Sequence, residues 1–430
     1  MLIDFTVSNY LSIKNEQTFS FVSESKTKDE NALFSIENET IKLYPFSAIF
    51  GPNASGKSKF IYALEDLCEF VKESYKYGEN QDIVPYKPFL LDEDSKNKSS
   101  KFEIEYEVDG SRFLYILEVL QKEVIYEELF SFSYNVRAAK TRIFTRKKDE
   151  ALFFNKEYTS LRKGIEEFLL PNQSLLSRCG NSKNELLKKP YSFFSTFIEF
   201  YTRKSFELPD ICNTTMLLDK DEQNFFKLKI LEILRSADIQ IEDIKIDHNK
   251  NNGFINYLRN KQTDSSEENL LHILSAEPKL AHKFNSIDNN KSYIYFDLEK
   301  QESSGTSKLY DLSSYLLDSL IMGKTFIIDE FNNALHPIIE KMIVELYLNP
   351  KINTNHAQLL VTSHDTYILD ACKLKREQVW FTDKNKAGET ELYCLNEFDK
   401  NLIRDYATFG KYYLEGRFNA LPAISTPVLK

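Results

Sequence analysis

The chain has 430 residues, 42% of them apolar and 28% charged, enough length for two or three structural lobes around a sizeable core and too much for a mini-scaffold. Its 55 basic and 65 acidic side chains leave a net charge of −10, which disfavours a surface coated throughout for nonspecific nucleic-acid binding. No apolar stretch reaches the roughly 18 residues of a membrane span, the opening MLIDFTVSNYLS alternates like a strand rather than a secretory leader, and the five scattered cysteines contain no C-x-x-C; these features lead us to expect a cytoplasmic protein with no membrane partner.

The first 60 residues read as strands, LIDFTV, QTFSFV and FSAIF, the last feeding directly into GPNASGKS. Phe60, Ile61, Leu64, Leu67, Cys68, Phe70 and Val71 then recur at spacings of three and four, the pattern of an amphipathic helix. From Lys101 to Lys147 the period falls to two, through FEIEYEV, FLYILEV, VIYEELFSFSY and TRIFTRK, with a turn at Asp109-Gly110; this predicts an antiparallel sheet. Between Tyr158 and Ala237 the periodicity is helical, and IQIEDIKI follows as a strand. The polar stretch from His248 to Asn290 predicts a mobile loop with a short helix near Leu270. No apolar heptad persists long enough for a long coiled coil. Beyond Ser292 strands and helices alternate, through YIYFDLEK, SKLYDLSSYLLDSLIM, TFIIDE, PIIEKMIVELYLN and QLLVTSHD, the mark of a parallel sheet covered on both faces. Three segments follow: 1–150 with the glycine loop and antiparallel sheet, 151–290 as a helical insertion, and 291–430 as a second α/β lobe.

Four motifs carry chemistry. Gly51-Pro52-Asn53-Ala54-Ser55-Gly56-Lys57-Ser58 satisfies G-x-x-x-x-G-K-[ST] between a strand and a helix, where backbone amides and the helix terminus cradle phosphates, the lysine reaches the β- and γ-phosphates and the serine ligates magnesium. The TFII strand ends in Asp329 and Glu330: the first carboxylate suits magnesium, and the second suits a general base that polarises the attacking water. Glu302-Ser303-Ser304-Gly305-Thr306-Ser307 opens a helix 26 residues before Asp329, counted from Ser303; it reads either as a plain cap or as a second phosphate-binding turn. In Val361-Thr362-Ser363-His364-Asp365 an imidazole stands at the end of the next strand, in reach of the same edge. Arg137, Lys140, Arg142, Arg146, Lys147 and Lys148 form a basic cluster that is either a nucleic-acid site or a solvated strand edge. The apolar stripe Ile338, Ile339, Met342, Ile343, Leu346 and Tyr347 is assigned to the core.

Together these motifs resemble the ABC-type ATPase head and its SMC, RecF and OLD-like subset. With VSNYLSIKNEQTFSF at the start, Ala334-Leu335-His336-Pro337 after the acids and Tyr413-Leu414-Glu415-Gly416-Arg417-Phe418 near the end, the chain is most similar to bacterial abortive-infection ATPases of the AbiLi, RloA and AriA kind. The resemblance implies an α/β head with a parallel core plus an antiparallel lobe, and ATP with Mg2+ as cofactors. It further implies a homodimer or larger assembly in which the loop of one protomer faces Ser303 and Gly305 of another, with Glu330 and His364 promoting hydrolysis. Ser304 departs from the commoner glycine, Asn332-Asn333 from the usual Asp or Ser, and Lys59 from Asn, and no glutamine is assigned to the magnesium shell.

The function expected from this resemblance is an ATP-hydrolysing sensor of an antiphage system that controls a separate effector, a nuclease or toxin. The 66 residues after His364 are too few for an added nuclease module, and Asp383 has no second acid in a D-x-D arrangement. A RecF-type DNA-repair ATPase is the alternative, and the engine of a membrane transporter a third reading that the N-terminal pattern disfavours.

Overall fold

The computed structural model describes residues 1–24, 33–36, 41–133, 139–182, 185–202, 213–248, 275–284, 292–399 and 408–421. Its strands are β1 (Leu2–Ser8), β2 (Gln17–Ser20), β3 (Phe34–Ser35), β4 (Lys42–Leu43), β5 (Phe46–Phe50), β6 (Ser100–Val108), β7 (Ser111–Leu120), β8 (Glu123–Ser133), β9 (Ala139–Lys147), β10 (Phe153–Phe154), β11 (Ile198–Tyr201), β12 (Asp243–His248), β13 (Ala276–Phe284), β14 (Ser292–Asp297), β15 (Thr325–Ile328), β16 (Gln358–Thr362), β17 (Val379–Lys384) and β18 (Thr390–Cys394). One sheet runs β10-β9-β8-β7-β6-β1-β2 and its pairings are antiparallel; a second runs β11-β15-β16-β5-β17-β18 and is parallel up to its last pair. The expected parallel core with an antiparallel lobe is therefore present.

The glycine-loop helix, Lys57–Glu73, lies between the two sheets, because its Phe60, Ile61, Leu64 and Leu67 are buried in one cluster with Phe5, Phe19, Ile104 and Leu117 of the antiparallel sheet and Ile49, Ile327 and Leu360 of the parallel one. Alternate residues of the same parallel strands, Phe46, Ala48, Phe50, Phe326, Ile328, Leu359 and Val361, point into a second cluster under the Ser304–Met322 and Pro337–Leu348 helices. Burial on both faces explains why β5, β15 and β16 read as unbroken apolar runs.

The two sheets are joined by a buried amide. Gln358 accepts from the Leu2 amide at 2.6 Å and from Thr325 Oγ1 at 2.9 Å, and its own amide donates to the Leu2 carbonyl at 2.9 Å. A second buried polar joint fastens the antiparallel sheet to the segment behind it. The Glu127 carboxylate accepts from Tyr115 Oη, Ser174 Oγ and the Leu175 and Leu176 amides at 2.7–2.9 Å, so it caps the Leu175–Gly180 helix.

Three expectations change. The stretch read as helical contains β11, which pairs parallel to β15 in the second sheet; four residues directly after a helical turn are too few for period-two alternation to register. Ala276–Phe284, read as part of a mobile loop, is the central strand of a sheet ordered β12-β13-β14, its polar composition reflecting a sheet with much of its surface in water. The helix expected near Leu270 lies outside the described residues. Ile338, assigned to the core, is 62% exposed, whereas Ile343 and Tyr347 of the same stripe are buried. Among the described residues no helix is long and apolar enough to cross a membrane.

Replacing Gln358 by Leu removes the buried side-chain partner of the Leu2 carbonyl and leaves the Leu2 amide with the longer contact to Thr325 Oγ1 at 3.3 Å, and unfolding stability is expected to fall by about 2–4 kcal/mol. Urea denaturation reads this directly, and an unchanged midpoint would show that the joint contributes nothing.

Candidate functional site

The site lies at the C-terminal ends of three adjacent parallel strands, β5, β16 and β15, the edge at which open α/β sheets bind ligands. β5 delivers the Gly51–Ser58 loop, β15 delivers Asp329 and Glu330, and β16 delivers Thr362, Ser363 and His364. Ser58 of the loop lies 271 residues before Asp329, and Thr362 follows Asp329 by 33; pairing of these strands brings them to one edge.

The loop is held tightly. Gly51 (φ 149°) and Gly56 (φ 116°) adopt conformations that side chains rarely take, and a Cβ would stand 2.4 Å from the Thr382 carbonyl at Gly51 and 2.2 Å from Thr390 Oγ1 at Gly56. Thr382 and Thr390, on β17 and β18, also brace the loop by hydrogen bonds, Thr382 Oγ1 to Ser55 Oγ at 2.6 Å and Thr390 Oγ1 to the Ser55 carbonyl at 2.8 Å. Pro52 is partly exposed, and Asn53 and Ala54 form the exposed tip, Ala54 in the left-handed region at φ 64°. Lys57 is buried and donates to the Gly51 and Pro52 carbonyls at 2.8 and 3.0 Å. Burial lowers its pKa to about 8, while Asp329 and Glu330 act in the opposite direction. At pH 7 it is therefore mostly a cation, available to phosphate.

Asp329 is the meeting point. Its Oδ1 accepts from Ser58 Oγ at 3.0 Å and from Thr362 Oγ1 at 2.6 Å, and its amide donates to the Tyr201 carbonyl of β11 at 3.0 Å. Its Oδ2 is buried without a hydrogen-bond partner. A buried carboxylate oxygen left unsatisfied beside a serine hydroxyl is a costly arrangement for a polar group and one that a hard divalent cation would satisfy, so Ser58 and Asp329 fit magnesium.

Thr362 was not singled out by sequence reasoning. Its hydroxyl donates to Asp329 and accepts from the Glu330 amide at 2.8 Å, fixing both acids from the neighbouring strand. Glu330 itself has φ 52°, an uncommon conformation for a side-chain-bearing residue and one often met at functional positions. Asn332, noted only as a departure from a family pattern, accepts from the His364 amide at 3.2 Å and from Ser363 Oγ at 3.4 Å. The His364 imidazole reaches the backbone of Gly51; partial desolvation and the Lys57 cation lower its pKa from the ordinary imidazole value, which favours the neutral form.

Ser303 caps the Ser304–Met322 helix, accepting from the Thr306 amide at 3.1 Å, and both Ser303 and Ser304 are exposed. Within one chain this turn does what a cap does, with the Ser303 hydroxyl turned onto Thr306. Lys308, one turn further, donates to the Glu330 and Phe331 carbonyls at 3.0 and 3.1 Å; nothing in the sequence pattern marked it. Tyr413, part of the C-terminal motif, stacks on Phe381 with ring centroids 5.6 Å apart, beneath the loop.

The basic cluster is not a free cationic face. Arg146 is buried and donates to the Gln173, Leu170 and Pro171 carbonyls at 2.5–3.2 Å. Arg142 pairs with Glu128 at 2.5 Å, Lys147 lies 3.7 Å from Glu150, Lys148 pairs with Glu123, and Lys140 sits over the Phe130 ring. Arg137 lies outside the described residues. The sequence could not separate these cases, because a buried arginine and an exposed one occupy the same alternation in a strand.

Among solved structures the chain is similar to the SMC head domain from Thermotoga maritima (13% identity, 91% of this chain and 98% of that one, TM-score 0.39) and to an SMC head bound to the C-winged helix domain of ScpA (10%, 91% and 97%, 0.43). A third is an SMC head with an extended coiled coil bound to the C-terminal domain of ScpA derived from Pyrococcus furiosus (11%, 91% and 96%, 0.36). Scores this low carry no argument. No curated protein matches. A family model described as "AAA domain, putative AbiEii toxin, Type IV TA system" matches residues 46–370, a span that runs from the start of β5 past His364 and takes in the loop, the acids and the imidazole. The chain belongs to that AAA-domain family.

Proposed function

We propose that the chain is an ATP-hydrolysing switch that assembles as an ATP-bridged homodimer or larger oligomer and governs a separate toxic effector in bacterial abortive infection. The observation that carries the hydrolytic part is the hydrogen-bonded series Ser58, Asp329, Thr362 and the Glu330 amide, which joins the ends of three strands beside the Gly51–Ser58 loop. The family description supports the abortive-infection setting. The burial of Arg146 and the pairing of the exposed Arg142, Lys147 and Lys148 with carboxylates give no support to the RecF-type alternative, which needs cations arrayed along DNA.

In this reading the amides of the Gly51–Ser58 loop and the start of the Lys57–Glu73 helix hold the ATP phosphates, and Lys57 exchanges its loop carbonyls for phosphate oxygens. Ser58 and Asp329 would hold magnesium, which when bound would supply charge neutralisation at the phosphates. Glu330 orients a water and takes its proton as that water attacks in line. Neutral His364 donates a hydrogen bond toward the γ-phosphate from the end of β16, the middle strand of the three. Ser303 and Gly305 of a second protomer close the site, so that the γ-phosphate favours one assembled conformation and its loss releases it.

Three outcomes test the reading. In Glu330→Gln, ATP turnover is expected to fall by about 100-fold or more, with an ATP- and magnesium-dependent dimer accumulating in light scattering; normal turnover by a monomer would overturn both the base and the sandwich. Thr362→Val removes the hydroxyl that aligns both acids, and kcat is expected to drop about 10- to 100-fold with nucleotide affinity little changed. The profile of kcat/KM against pH reports the free enzyme: since His364 acts as a neutral imidazole and its pKa is lowered from the ordinary value, its acid limb is expected on the acid side of that value and should be lost in His364→Gln, while loss of the Lys57 cation sets a basic limb near pH 8.

A further inference from the structure

Lys308 joins two parts of the molecule that the reading above treats separately. It lies on the helix opened by the Ser303–Gly305 turn, and its ammonium donates to two consecutive carbonyls, of Glu330 at 3.0 Å and of Phe331 at 3.1 Å. The segment it grips is the one with φ 52° at Glu330, whose carbonyl also accepts from the Asn333 amide at 3.0 Å. The same helix start presses on this segment a second time: a Cβ on Gly305 would stand 2.9 Å from the Ala334 carbonyl. Residues 330–334 therefore rest against the first turns of this helix at both ends.

The ammonium is costly to keep there. Burial lowers the Lys308 pKa to about 8, with Glu340, Glu330 and Asp329 raising it, and the buried Glu340 carboxyl has an oxygen without a hydrogen-bond partner. A methionine of similar length would fill the volume without the charge. A half-buried cation donating to two backbone carbonyls next to a left-handed glutamate constrains where that glutamate points.

We propose that Lys308 is a positioning residue: it fixes the backbone of Glu330 from the helix that carries the Ser303–Gly305 turn, so that a displacement of this turn displaces the general base of the same chain. The inference rests on the proposed hydrolytic function. In an ATP-bridged dimer the turn of one protomer touches the nucleotide on its partner's loop, while Glu330 serves the nucleotide on its own loop. Lys308 then links the two nucleotides mechanically, through one side chain and two hydrogen bonds.

The test uses the full chain as Lys308→Met, which keeps the stem and removes the donors, and Lys308→Arg, which restores donors and charge. In Lys308→Met, kcat is expected to fall at least about 10-fold while ATP affinity and KM stay within about 3-fold, and Lys308→Arg should recover a substantial part of kcat. Amide hydrogen exchange supplies a readout independent of turnover: amides of residues 330–334 should exchange about 10-fold faster in Lys308→Met than in wild type, without a matching change in the Gly51–Ser58 loop. Unchanged exchange at 330–334, unchanged kcat, or loss of ATP affinity in step with kcat would each overturn the proposal. If Lys308→Met does not fold, Lys308→Gln, with an uncharged donor, takes its place under the same criteria. Wild-type protein whose turnover does not depend on Glu330 would instead overturn the hydrolytic reading, and exchange alone would then decide whether Lys308 holds the segment.

Discussion

The arrangement of the site depends on one carboxylate. Asp329 receives a hydroxyl from the glycine-loop helix and a hydroxyl from β16, and its amide is anchored on β11. These contacts require β5, β15 and β16 to be paired side by side with their ends aligned, and pairing of parallel strands requires connections that cover both faces of the sheet. The helices and the antiparallel sheet are that cover. A buried carboxylate oxygen without a partner is costly, and here it stands beside the Ser58 hydroxyl and the glycine loop at the point where three strand ends meet, an arrangement that suits a site better than packing.

The loop beside it is rigid for reasons that lie elsewhere in the chain. β17 and β18 press Thr382 and Thr390 against the two glycines, and the aromatic stack of Phe381 and Tyr413 lies behind them. The C-terminal motif is thus connected to the loop by packing. Such preorganisation lets amides point toward an anion without being reorganised when it arrives. The exposed tip at Asn53 and Ala54 is the part left open to a second molecule.

A switch needs an element with two arrangements and a means of biasing them. In the proposed switch the Ser304–Met322 helix would be that element. Its exposed N-terminus can meet another protomer, Lys308 grips the glutamate segment, and on its outer side Glu302 bonds His282 of β13 at 2.5 Å. Through that last contact the small β12-β13-β14 sheet is tied to the same turn.

Much of this was legible from residue order. The G-x-x-x-x-G-K-S loop, the Asp329-Glu330 pair and His364 were readable because each needs particular residue types at fixed local spacing, and the strands around them were readable because burial on both faces leaves an unbroken apolar run. The antiparallel sheet announced itself by period two. What the sequence did not disclose depends on partners distant in the chain. Thr362 and Lys308 are ordinary residues of a strand and a helix until folding places their polar atoms 2.6–3.1 Å from Asp329 and from the Glu330 and Phe331 carbonyls. Arg146 and its neighbours in the cluster share a strand pattern, and only the packing of the Leu170–Gln173 segment against β9 turns one of them into an internal brace. Local chemistry determines which residues can act; long-range strand pairing decides which of them meet, because a hydrogen bond depends on distance in space and a sequence records only distance along the chain.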